Sequence, residues 1–90
     1  MNTQYIKALI DDTEFQELAG DLFFRWKDES GYEDVNDYAA PLQNVVFVNG
    51  LSILKMTKSP FGLHVKDLTG QVFHVTVNSR SINAKLLVAA

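Results

Sequence analysis

The chain has 90 residues, of which 47% are hydrophobic and 21% charged, with a formal net charge of -3 and no cysteine. That size suits one two-layer domain around a single core, and the composition argues against a disordered chain or a coiled coil. The lack of thiols removes disulfides, cysteine nucleophiles and thiolate metal sites, and no apolar run approaches the ~20 residues of a membrane span.

Charge is split along the chain. Residues 1–44 hold ten acids against three bases, a net -7, while residues 45–90 hold one acid against five bases, a net +4. The expected organisation is a single domain over 1–90, with an acidic helical part at 1–42 and a basic, β-rich part at 43–90. The start, MNTQYIKALIDD, has no basic flank ahead of a long apolar block, so no secretory signal is read and a cytoplasmic protein is expected.

Asn2 or Thr3 is placed to cap a short first helix, with Tyr5, Ile6, Leu9 and Ile10 at helical spacing and Asp11-Asp12 breaking it. Thr13 opens the main helix, which runs to Glu29. Thr13 with Gln16 reads as a capping box, and Glu14 and Glu17 suit the positive end of the helix dipole. At about 100° per residue, Phe15, Leu18, Ala19, Leu22, Phe23 and Trp26 fall within an arc of roughly 140°, the face expected to hold the sheet. Glu14, Glu17, Asp21 and Asp28 form a second, narrower stripe.

Phe24 is the exception, pointing about 180° from Phe15 and so lying beside Glu17, Asp21 and Asp28. Either the first helix or residues 32–42 cover its ring, or the ring is a contact for a partner. Gly20, on the polar side of the same helix, leaves room for the close approach of another backbone. Gly31 is placed to cap the helix end, residues 33–39 read as a short helix with Val35, Tyr38 and Leu42 turned inward, and Pro41 disfavours helix at Ala40 and opens the β half.

Residues 43–56 read as a hairpin around Asn49-Gly50, the preferred two-residue type I′ turn. Val48 then pairs with Leu51, Val46 with Ile53, Val45 with Leu54 and Phe47 with Ser52. Both faces of that hairpin are largely apolar, which raises homo-oligomerisation through residues 43–56 as an expectation. A second hairpin over 63–78 turns at Leu68-Thr69-Gly70, three residues closed by a left-handed glycine. Its register sets Asp67 opposite Gln71, Val65 opposite Phe73 and Leu63 opposite Val75 on an apolar face that includes Phe61. His64 opposite His74 and Lys66 opposite Val72 then face outward. Residues 79–90 read as a helix capped by Ser81 or as an edge strand, with the Ala, Leu and Lys content favouring helix. The fold class is therefore α+β, with N-terminal helices packed on one face of an antiparallel four-strand meander and a short C-terminal helix or edge strand.

No nucleophile motif is present, and exposed carboxylates of ordinary pKa make poor general acids, so a non-enzymatic protein is expected. His64 and His74 together lack the third and fourth ligands of a stable metal site. DESGYEDVND (28–37) places its glycine fourth where a calcium loop needs it sixth. No metal and no cofactor is expected. The leading reading is an interaction domain of inhibitor, immunity or adaptor type that binds a basic protein surface through Glu17, Asp21, Phe24 and Asp28. The alternative is a nucleic-acid-binding module on the outward sheet face, through Lys55, His64, Lys66 and His74. The acidic overall balance and the inward-facing Phe61 and Phe73 count against it. A self-assembling subunit joined through the 43–56 hairpin is the third reading.

Overall fold

A computed structural model describes residues 3–28 and 39–90. The expected Gly31 cap and residues 33–38 of the expected short helix lie outside them. Among the described residues, three helices precede a four-stranded antiparallel sheet, giving the α+β class. Helix α1 covers Gln4–Asp11, α2 Thr13–Asp28 and α3 Ala40–Val48. The strands are β1 (Leu51–Lys58), β2 (Phe61–Asp67), β3 (Val72–Val77) and β4 (Ile82–Val88), and they pair in sequence order. No described helix is long and apolar enough to cross a membrane.

Helix α1 follows its periodicity, burying Ile6 and Leu9, but Thr3 occupies the cap position without a side-chain cap bond. The start of α2 needs a correction. Its cap is Asp12, whose carbonyl accepts from the Gln16 N–H and whose Oδ1 accepts from the Phe15 N–H at 3.0 Å. A carboxylate satisfies a free backbone donor at the positive helix end more strongly than a hydroxyl, so Thr13 becomes the first helical residue. Gln16 instead donates to the Ile10 carbonyl at 2.8 Å, strapping α2 to the end of α1. The predicted buried stripe is real: Phe15, Ala19 and Leu22 are buried, and Leu18, Phe23 and Trp26 pack on the core from its edge. Trp26 stacks on Phe61 of β2 with ring centroids 4.8 Å apart, and Phe23 lies 5.8 Å from the same ring. This aromatic cluster fixes α2 against the sheet.

The first predicted hairpin does not form. Residues 43–48 belong to α3, and Leu51 and Ile53 pair with Asp67 and Val65 of β2. Pro41 is tolerated in the first turn of a helix, where its missing N–H costs nothing, and Leu42, Val45 and Val46 recur at helical spacing and are buried. Asn49 is the C-cap of α3, and Gly50 follows with φ of 85°. Asn-Gly thus stops a helix with a left-handed glycine, a role its backbone freedom serves as well as a hairpin turn. The apolar residues expected on a second hairpin face divide on α3 instead, with Val45 and Val46 inward and Phe47 and Val48 exposed. The hairpin on which the oligomer expectation rested is therefore absent.

The second hairpin forms in the expected register, with Leu63, His64, Val65 and Lys66 opposite Val75, His74, Phe73 and Val72. Gly70 has φ of 94°, and the buried Asp67 carboxylate holds the turn, accepting from the Thr69 N–H at 2.9 Å, its hydroxyl at 2.6 Å and the Gln71 N–H at 3.0 Å. The C-terminal segment is the edge strand β4, so the helix preference for residues 79–90 is overturned. There, pairing to β3 outweighs the modest propensity of Ala, Leu and Lys. Leu63, Val65, Phe73, Val75 and Val77 line the sheet face that the helices cover, together forming one core.

Candidate functional site

Along α2, Glu17, Asp21 and Phe24 follow one another at spacings of four and three residues, which sets them in one line on the helix surface. Glu17 and Asp21 are exposed, and the Phe24 ring is 50% exposed. Asp28 ends the helix, and its side chain lies outside the described residues. Phe24 is not stranded in open solvent. Its ring centroid is 5.8 Å from that of Phe23, and it forms one end of a groove of about 400 Å³ between α2 and the β3–β4 turn.

The groove is lined by the apolar Ile10, Val77 and Ile82 and by the charged or polar Asp11, Gln16 and Arg80. Asn78 builds the turn, its Oδ1 accepting from the Arg80 and Ser81 N–H groups at 2.9 Å each. Arg80 is thereby held in the exposed β3–β4 turn and lines the same groove as Phe24. Sequence reading counted Arg80 among the basic residues but gave no means of placing it here, because that required β4 to be a strand. Gly20 also lines the groove, and a Cβ built on it meets nothing within 4 Å. No neighbouring backbone of the described chain uses the room it leaves, contrary to the close approach expected of it.

The outward sheet residues are also brought together. Lys55 stands opposite His64, His64 opposite His74, and His74 opposite Lys85, one row across all four strands. Lys66 lies two residues along β2 from His64 and so on the same face. The two imidazoles meet edge-on with centroids 4.7 Å apart. Burial first, then the neighbouring His74 and Lys55, holds the His64 pKa below its usual value. Among the described residues, no group of three or more His, Cys, Asp or Glu side chains could hold a metal ion.

One hydroxyl–imidazole pair exists on this face, with Thr57 Oγ1 3.1 Å from His74 Nε2. The Thr57 hydroxyl donates its single proton to the Pro60 carbonyl at 2.8 Å, so His74 is the donor to Thr57 and cannot act as its base in this arrangement. Comparisons with protein-family models, characterised proteins and solved structures find no match to this chain.

Proposed function

We propose that the chain is a non-enzymatic interaction domain that binds a basic protein surface through the acidic line of α2, with Phe24 as its apolar anchor. The observation that carries this reading is the Phe24 ring, 50% exposed beside a groove and in line with two exposed carboxylates. An aromatic ring that finishes its burial only in a complex contributes strongly to affinity, whereas rim carboxylates act chiefly on approach and orientation. The helix that presents them is rigid, since Trp26, Phe23 and Phe15 on its other sides are anchored in the core. Inhibitory, immunity and adaptor roles all use such a preformed surface.

The test is capture from the native host by the tagged protein, run beside Phe24→Ala and Asp21→Lys variants whose folding is verified by circular dichroism. A captured protein with a basic contact surface that both variants lose is the expected result. Capture that persists undiminished with both variants contradicts the proposal.

A further inference from the structure

We infer that the open face of the sheet is a second binding surface, beyond the α2 contact, that takes the phosphate backbone of a nucleic acid without reading its sequence. Lys55, His64, His74 and Lys85 form a single row across β1 to β4, about 14 Å wide at about 4.8 Å per strand. Lys55, Lys66 and Lys85 are exposed, and the two histidines are half-buried between them. Ser52 and Asn83 belong to the same face by register and are exposed, and they supply a hydroxyl and an amide group suited to phosphate oxygens.

The sole carboxylate on the four strands is Asp67, which lies on the opposite face, is buried and is engaged by Thr69 and Gln71. Three ammonium groups therefore share a face with no local counter-charge among the described residues. The exposed acids of α1 and α2 stand on the helices, which pack on the other face of the sheet. The acids described on α1 and α2 thus do not share this face with the lysines.

The same geometry sets the mode of binding. Phe61 and Phe73, the strand aromatics that could stack bases, are 3% exposed and serve the core. Among the described residues no Phe, Tyr or Trp ring lies on this face and the two half-buried imidazoles meet each other edge-on, so contact is with the backbone and unrelated base sequences are bound alike. The exposed apolar side chains of the strands, Leu54 on β1 and Leu87 and Val88 on β4, lie on the two outer strands, so a lipid surface is tested beside the oligonucleotides.

The test is fluorescence anisotropy of the full chain with labelled single strands and duplexes of about 20 nucleotides, in two unrelated sequences, from about 20 to 200 mM salt. Saturable binding is expected, equal for the two sequences, with a log–log salt slope of about -2 for strands and nearer -3 for duplexes, the values for three lysines. Replacing Lys55, Lys66 and Lys85 together by alanine should cost about tenfold or more at low salt, whereas Phe24→Ala should leave binding unchanged. Absence of binding at about 20 mM salt overturns the inference. So does binding that the triple variant retains, a strong preference for one sequence, or binding to phosphatidylserine vesicles without binding to the oligonucleotides. Because the variants touch different faces, failure here leaves the α2 contact standing, and the reverse holds too.

Discussion

Asn49 donates its side-chain amide to Asp12 Oδ2 at 3.0 Å and to the Val45 carbonyl at 2.8 Å, so the residue that ends α3 fastens the residue that starts α2. The bond from Asn49 and the Phe15 N–H hold the Asp12 carboxyl below its ordinary pKa. Asp12→Ala and Asn49→Ala should each lower the melting temperature at neutral pH, and the double variant should lose less than the sum. A carboxylate favoured as the anion in the folded state stabilises above about pH 4, and that contribution fades as the pH falls below it. The gap between wild type and Asp12→Ala should therefore close in acid, which thermal melts across pH will show.

Two glycines should respond in opposite directions. Gly50 has φ of 85°, and a Cβ there meets the Tyr5 ring at 2.5 Å, so Gly50→Ala should cost about 1–2 kcal/mol for the left-handed backbone alone. Gly20 sits within α2 with open space above it, so Gly20→Ala should stabilise by about 0.5–1 kcal/mol. Urea denaturation of both variants measures the pair. Loss of stability in Gly20→Ala would mean that the groove is filled in solution.

The β2–β3 turn depends on one buried carboxylate. Burial pushes the Asp67 pKa up, but hydrogen bonds from the side chains and N–H groups of Thr69 and Gln71 outweigh it and leave the pKa low. Asp67→Ala removes the acceptor that Thr69 and Gln71 share and should cost about 2 kcal/mol, read as a lower urea midpoint with an unchanged m-value.

Acid should weaken the fold through the outward face as well. His64 is held below its usual pKa by burial, then by His74 and Lys55. The unfolded chain then binds more protons as the pH falls below about 6.5, so stability present above that pH is lost on acidification. His64→Gln should flatten the melting profile between about pH 5 and 7. A nearby phosphate reverses the balance by favouring the imidazolium, so oligonucleotide affinity should rise over the same window, as titrations at each pH will show.

The parts of the fold legible in the sequence are those where several local signals agree. Alternation along 61–77 and a glycine able to close a three-residue turn allowed one register that buries Phe61, Leu63, Val65, Phe73 and Val75 together. Helix α2 was equally plain, because Phe24 is the only large apolar residue outside its apolar arc. The failures fall where one signal serves two structures. Asn49-Gly50 suits a hairpin turn and a helix C-cap alike, and the β-branched run before it hid the helical spacing of Leu42, Val45 and Val46. Residues 82–88 are good helix formers that become strand because β3 offers them an unpaired edge. That choice brought Arg80 to the groove that Phe24 lines and completed the Lys55–Lys85 row, neither of which local spacing reveals.

The most direct measurement replaces Phe24 with a photocrosslinking phenylalanine derivative and, in a parallel protein, does the same at Phe47, which is 74% exposed at the end of α3. Both proteins are irradiated with the partner captured from the native host. Crosslinking from position 24 and not from position 47 is the predicted result, since it separates a specific anchor from any exposed aromatic ring. Equal crosslinking from both, or crosslinking from position 47 alone, would contradict the assignment of the contact to the acidic line of α2.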